Sequence, residues 1–237
     1  MKKTYCIDYS LTQAHLDELL MPNRGLTVIS PTGSIQRVLS QFREEAKKFG
    51  FSESLAYTST GVSQNFQAFS DFKADDEWIS FGLHISESLR LGFERLGHSH
   101  LFKMPLALSD LTLQFYPQSK PDDQFALSAH RDQSGFINLV VVLLIEGPST
   151  FFICRDRIGT TPIEPVEIEA VPGDLMVMRA GDFGDNLPRP CHFVGRVENP
   201  QGRLTLALRQ ISNDPARVKK LEHFFGRKFG SGSKMPH

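Results

Sequence analysis

His130-Arg131-Asp132 sits near the end of a run, residues 125–132, whose residue types suit a β-strand. Side chains at i and i+2 leave the same face of a strand, so this histidine and aspartate can grip one ion together. A second histidine, His192, follows a turn-rich stretch at residues 181–190 and opens another strand, read over 192–197. If the two strand ends converge, two imidazoles and one carboxylate surround a divalent transition metal and leave coordination positions open. Eleven residues after His192 comes Arg203-Leu204-Thr205. Its guanidinium and hydroxyl share one face of a strand, where the first can take a carboxylate bidentately and the second can add a hydrogen bond.

His-x-Asp arises readily by chance, and the chain holds a second copy at His15-Leu16-Asp17. That copy lies in a segment that reads as helix, where residues two apart point to roughly opposite sides. His98-Ser99-His100 has the spacing of a cupin metal pair, but no glutamate follows at the matching distance and the segment reads as a loop. Cys191 neighbours His192, so on a strand it points to the opposite face, into packing. His130-Arg131-Asp132 and Asp182-Phe183-Gly184 together reproduce two kinase tripeptides. Ile137 stands where the kinase loop needs a magnesium-binding Asn, and there is no Gly-rich loop with a following strand lysine.

His-x-Asp, a distal His, then Arg-x-Thr, in this order, resemble the signature of the Fe(II)/2-oxoglutarate-dependent dioxygenase superfamily. The resemblance spans residues 111–211. It implies Fe(II) held by His130, Asp132 and His192, with 2-oxoglutarate chelating the metal through its keto-acid end and O2 taking the remaining position. It places the far carboxylate of 2-oxoglutarate on Arg203, with Thr205 beside it. Within the superfamily the chain is most similar to the AlkB-type branch. Gln114-Phe115-Tyr116 stands where that branch has Asn-x-Tyr, Gly173-Asp174 resembles its Gly-Asp strand, and Arg209 follows Arg203 by six positions. The chain departs from that pattern in having Gln114 for Asn and in the fourteen positions from Tyr116 to His130. The resemblance implies co-substrate contacts for Gln114 and Tyr116, and for Arg209 either a second anionic contact or a role in steadying Asp132.

The elements that must position these residues follow from apolar periodicity. In residues 34–49, Ile35, Val38, Leu39, Phe42, Ala46 and Phe49 form one helical stripe ended by Gly50. Trp78, Phe81, Ile85, Leu89 and Leu96 form another, behind the acidic start Asp75-Asp76-Glu77. From about residue 111 the pattern changes to short β-branched or aromatic runs between Gly, Pro and Asp. Strands are expected at 111–116, 125–132, 137–145, 150–154, 166–171, 174–178, 192–197 and 203–211. A last helix is read over 214–225 through Val218, Leu221 and Phe225, before the flexible composition of residues 230–233.

The expected fold class is α+β: a double-stranded β-helix, or jelly roll, with N-terminal helices packed on it and a C-terminal helix. The 237 residues are read as one domain, with a mainly helical part at 1–108, the jelly-roll core at 109–212 and the terminal helix and tail at 213–237. With 40% hydrophobic residues, 22% charged residues and a formal net charge of −1, the chain should fold, and no whole-molecule field draws it to nucleic acid or an anionic membrane. The three cysteines, Cys6, Cys154 and Cys191, fit free thiols in a reducing compartment. The longest apolar run, residues 139–145, is far short of the ~20 residues of a membrane span, so a cytoplasmic protein is expected.

The leading expectation for function is oxidation of a C–H bond in a small metabolite, amino-acid-like or a natural product, with release of succinate and CO2. Two rivals are AlkB-like oxidative demethylation of nucleic acid and a non-catalytic jelly-roll binding module. Salt-sensitive oligonucleotide binding would mark the first rival, and absence of succinate formation the second. Substrate-facing positions are expected at residues 58–65, at Arg131 and in the loop 182–189, because loops at a barrel mouth carry specificity.

Overall fold

A computed structural model describes residues 5, 7–53, 62–184 and 187–229. Cys6, residues 58–61 and 185–186 of the expected substrate-facing segments, and residues 230–233 lie outside the described residues. The N-terminal part contains α1 (Gln13–Leu20), β1 (Leu26–Ile29), α2 (Gln36–Ala46), β2 (Ser52–Glu53), β3 (Gln67–Phe69) and α3 (Glu77–Arg95). The core contains β4 (Asp110–Tyr116), β5 (Leu127–His130), β6 (Phe136–Glu146), β7 (Phe151–Cys154), β8 (Asp156–Ile158), β9 (Thr161–Ile163) and β10 (Val166–Ile168). It is completed by β11 (Leu175–Arg179), β12 (Cys191–Val194) and β13 (Arg203–Ile211), and α4 (Pro215–Phe225) follows.

All strand pairings are antiparallel. One sheet has the order β1-β11-β6-β13-β4-β3-β2, a second β10-β7-β12-β5, and β8 with β9 makes a separate hairpin. The two sheets face each other as a double-stranded β-helix, the architecture expected from the strand pattern. The period of two along each strand explains why. On β6, Leu139, Val141, Leu143 and Ile145 pack outward under the helices, while Val140, Val142 and Leu144 pack inward against the smaller sheet. Both faces are apolar because both are buried, which is why this strand reads as one unbroken hydrophobic run. On β13 the outward set is Leu204, Leu206 and Leu208, leaving Arg203, Thr205, Ala207 and Arg209 on the inner face.

The helices supply the cover for the outer face. Leu39, Phe42 and Ala46 of α2, and Trp78, Phe81, Ile85, Leu89 and Phe93 of α3, are buried in the same cluster as the outward strand residues. Phe42 stacks on Trp78 with ring centroids 4.0 Å apart. Gly82 lets α3 approach the sheet, since a Cβ there would stand 2.9 Å from Leu111 and 3.1 Å from Leu208. The N-terminal part is less helical than expected, because β1 closes one edge of the large sheet and β2 with β3 closes the other. These strands are two to four residues long, too short for a period of two to show above the helical stripes around them. The hairpin β8–β9 was likewise not anticipated. The strand expected at 125–132 ends at His130, so Asp132 lies just beyond it. Among the described residues, no helix is long and apolar enough to cross a membrane.

Two features hold the barrel mouth. α4, capped by Asp214 at Ala216 N, lays Leu221 over Gly135, where a Cβ would come within 2.5 Å of that side chain. Arg179, at the end of β11, is 2% exposed and donates to the carbonyls of Leu19, Met21, Pro22 and Pro188. It ties the segment leading into β12 to the N-terminal part through four main-chain acceptors and no carboxylate. Arg179→Met should therefore lower unfolding free energy by at least about 3 kcal/mol, since each stranded carbonyl costs roughly 1–3 kcal/mol; a urea midpoint equal to wild type would refute that role.

Candidate metal centre and adjoining cavity

β5 and β12 pair so that His130 lies directly opposite His192. A bulge makes this possible. Between the pairs His192↔His130 and Val194↔Leu127, β5 spends one residue more than β12. Leu127 thus faces the inner core, Ala129 the outer cluster with Cys191 and Phe193, and His130 the interior again. Strict alternation would have sent His130 to the same side as Ser128 and away from the side of Leu127, so the extra residue is what aims it.

Each imidazole is anchored by the nitrogen that faces away from the centre. His130 Nδ1 donates to the Ser128 carbonyl at 2.9 Å and His192 Nδ1 to the Pro190 carbonyl at 3.3 Å. With a proton held at Nδ1, the Nε2 lone pair is left for a metal. His192 is also stacked on Phe151 at 5.4 Å, and its Nε2 lies 3.8 Å from Asp132 Oδ2. The candidate ligand atoms of His130, Asp132 and His192 lie within 4.8 Å of one another, close enough for one cation to be shared. Arg189 donates to the Asp132 carbonyl, while Arg131 Nε donates back to the Arg189 carbonyl at 3.2 Å. These two arginines lace the segment after β5 to the segment before β12.

Burial and the neighbouring His192 lower the pKa of His130 to about 4, against an ordinary value of 6.5. Burial pushes the Asp132 carboxyl up, but His192, His130, Arg209 and Arg189 together outweigh it and leave it below its usual range. At neutral pH the triad therefore offers unprotonated imidazole at His130 and carboxylate at Asp132, the forms that bind metal.

Behind the triad a cavity of about 50 Å³ runs between the sheets. Apolar side chains, among them Val140, Val142, Phe151 and Met178, make about half of its wall, polar and ionisable ones the other half, and Arg203 projects into it. Arg203 is 1% exposed, stands 5.0 Å from the Tyr116 ring centre, and its Nε and Nη2 have no hydrogen-bond partner among the described residues. An uncompensated buried charge is strongly destabilising, so a guanidinium held this way is suited to an anion admitted from the cavity. The remaining expected residues fall close by. Gln114 Oε1 accepts from the Tyr116 hydroxyl at 3.3 Å and from Thr205 Oγ1 at 3.4 Å. Gln114 and Tyr116 border the cavity, whereas Thr205 sits behind Gln114 rather than on the wall. Arg209 borders the cavity but is already paired with Asp110 at 2.9 Å and donates to Thr112.

The other sequence patterns are separated from this site by the fold. His15 caps α1 through Thr12, and Ser99 and His100 lie in a 3-10 turn (Ser99–Leu101). Cys191 faces away from His192 and opposes Cys154, both thiols buried. Sequence reasoning did not single out Arg189 or Arg157, nor Phe224 and Phe225 of α4, as parts of the site. Arg189 lay inside the loop marked for specificity, but Arg157 sits in an unforeseen hairpin and carries no spacing signal.

No protein-family model matches the chain, and no curated protein matches its sequence. Solved structures do match it. The epimerase SnoN, solved in complex with Fe3+, alpha ketoglutarate and nogalamycin RO, aligns with a TM-score of 0.61 at 12% identity over 95% of this chain and 93% of that one. The chain shares the fold of that structure, a double-stranded β-helix. HygX from Streptomyces hygroscopicus, with nickel and 2-oxoglutarate bound, aligns at 0.55 and 12% identity over 86% of this chain and 89% of that one. A Pseudomonas putida prolyl-4-hydroxylase aligns at 0.52 and 15% identity, covering 84% and 98%. None of these three matches singles out the AlkB-type branch.

The pKa of His130 sets a pH dependence for the metal-free protein. The unfolded chain takes up that proton near pH 6.5 and the folded one only near 4, so this stabilising difference is complete above about pH 6.5 and is lost as pH falls from there to about 4. Asp132 adds loss only as pH drops below its ordinary 3.8. Denaturant midpoints between pH 4 and 7 should show the slope, and His130→Ala should flatten it; a slope unchanged in the variant would place its origin elsewhere.

Proposed function

We propose that this chain is a non-haem Fe(II)- and 2-oxoglutarate-dependent dioxygenase that oxidises a C–H bond of a small molecule. One observation carries the reading: a two-histidine, one-carboxylate cluster borders a cavity in which a buried arginine has two nitrogens without a partner among the described residues. The first half of that arrangement suits a ferrous ion with open positions. The second suits an acid with one end at the metal and the other on a guanidinium. Solved proteins of the same fold bind iron or nickel and alpha ketoglutarate, which supports the assignment.

In this reading His130, Asp132 and His192 hold the iron. The bound ion and 2-oxoglutarate together supply the oxidising power drawn from O2, with succinate and CO2 released. The chain aims and shields. The carbonyls of Ser128 and Pro190 keep both imidazoles in the metal-binding tautomer. Arg203 takes the far carboxylate, and Tyr116 and Gln114 border the space that the co-substrate fills. Thr205 acts at one remove by orienting the Gln114 amide. Arg209, neutralised by Asp110, is assigned to steadying Asp132 rather than to a second anionic contact. The shared packing of α1, α2 and α3 with the outer face of the large sheet supports reading residues 1–237 as one catalytic domain.

A small-molecule substrate is favoured over nucleic acid by the walls of the mouth, where α4 and the hairpin β8–β9 narrow the opening to a pocket beside the triad. Anaerobic titration with Fe(II) and then 2-oxoglutarate tests the assignment. Wild type should bind both, and His130→Ala should lose the metal and all succinate formation. Arg203→Ala should keep the metal and bind 2-oxoglutarate roughly ten- to a hundredfold more weakly, the loss of a charged hydrogen-bond pair worth about 1.5–3 kcal/mol. Unchanged 2-oxoglutarate affinity in Arg203→Ala would remove the co-substrate assignment.

A further inference from the structure

Two compartments meet at His130 and Asp132. The inner cavity is bordered by Arg203, and the outer pocket, which opens to solvent, by Arg157. Neither arginine borders the other's compartment, while Gln114, Leu127 and Arg209 border both. An anion bound to Arg157 is thus a second ligand, distinct from one bound to Arg203, and it lies on the open side of the same triad.

The charges around the outer pocket are unequal in their freedom. Arg131 is paired with Asp156 at 3.1 Å, and Arg209 with Asp110 at 2.9 Å. Arg157, on β8, gives one Nη1 hydrogen to the Gly159 carbonyl at 2.9 Å and, among the described residues, pairs with no carboxylate. It is half-buried, so its charge is only partly screened by water. Among the described residues the one carboxylate bordering the pocket, Asp132, belongs to the proposed metal centre. A lone planar fork matches one carboxylate. A phosphate dianion is better served by a second free cation or a helix N-terminus, and the described lining offers neither.

Four phenylalanines share the rest of the wall with Val62, Leu127, Gln64, Gln114 and Gln133. Phe66 and Phe136 come from the barrel, and Phe224 and Phe225 from α4. Phe225 lies 5.7 Å from the Phe136 ring, and the helix that carries it is fixed by Leu221 over Gly135 and by Arg217 on Asp182 at 2.5 Å. A flat ring laid on this surface gains face and edge contacts of about 0.5–1.5 kcal/mol each.

We propose that the outer pocket is the substrate site for a small carboxylic acid with a flat apolar body, its carboxylate on Arg157 and its ring against the Phe136, Phe224 and Phe225 wall. The proposal deepens the oxygenase reading and rests on it for the fate of the acid, but not for its binding. Substrate and co-substrate are then two acids sorted by compartment. The keto-acid is taken inside by Arg203, and the substrate acid is held outside by Arg157 with its apolar part turned toward the triad.

The test is calorimetric titration of the full chain with indole-3-acetate and 3-phenylpropionate, each beside its primary amide, in two forms: loaded anaerobically with Fe(II) and 2-oxoglutarate, and metal-free. At least one acid should bind, its amide should bind about tenfold or more weakly, and Arg157→Gln should weaken the acid by a similar factor while leaving the amide unchanged. Arg157→Lys should recover part of the loss, and Phe225→Ala should weaken acid and amide alike. Equal binding of acid and amide, insensitivity of acid binding to Arg157→Gln, or no binding by either acid overturns the proposal. The two readings fail separately. Arg157-dependent acid binding without 2-oxoglutarate binding would sink the oxygenase and keep the acid site, and Arg203-dependent 2-oxoglutarate binding without it would do the reverse.

Discussion

The direct opposition of His130 and His192 across the β5–β12 ladder is the contact on which the site depends. Two imidazoles on neighbouring strands can share an ion only if both point inward at the same level. The bulge in β5 meets that condition by shifting one strand a residue against the other. Around the pair, main-chain carbonyls fix the ring tautomers, and Arg131 with Arg189 binds the two ligand-bearing segments together. These contacts use only protein groups and hold the candidate ligands in place.

The inner face of the large sheet shows how the barrel tolerates polar chemistry in its core. Arg203, Thr205 and Arg209 of β13 and Gln114 and Tyr116 of β4 lie on strands whose outward faces carry Leu204, Leu206, Leu208, Leu111 and Leu113. The outer cluster under the helices and the inner cluster between the sheets supply the burial that stabilises the fold. Against that background, Arg209 is matched by Asp110 and Tyr116 by Gln114, while two nitrogens of Arg203 are left unmatched. A buried polar group without a partner is a cost to folding, and its position beside a metal-type cluster is what gives it functional meaning.

The same economy separates the site's two sides. The inner cavity carries the unmatched guanidinium, whereas the outer pocket is shaped by late elements of the chain, the β8–β9 hairpin and α4. A barrel with this division can keep its metal chemistry constant and vary its ligand through the walls of the mouth. The fold likeness to an epimerase and a prolyl hydroxylase at 12–15% identity fits that view of one scaffold serving different substrates.

The triad, Arg203 and the change from helical to strand periodicity were all legible in the amino-acid order. His130 and Asp132 are two apart, the inner and outer residues of β13 alternate, and α2, α3 and α4 show their stripes within one element each. Those signals are local, and a local period survives in sequence. What lay beyond it was decided by pairing partners far apart in the chain. β1, β2 and β3 are strands only because a sheet edge is there to receive them, the bulge in β5 exists only against β12, and Arg157, Phe224 and Phe225 reach the pocket only through the packing of a hairpin and a helix on the barrel. Sequence alone determined which residue types the chain brings to the candidate site. Tertiary structure decided its aim, because a side chain's direction into a shared cavity is set by the register and packing of strands that meet only in the folded state.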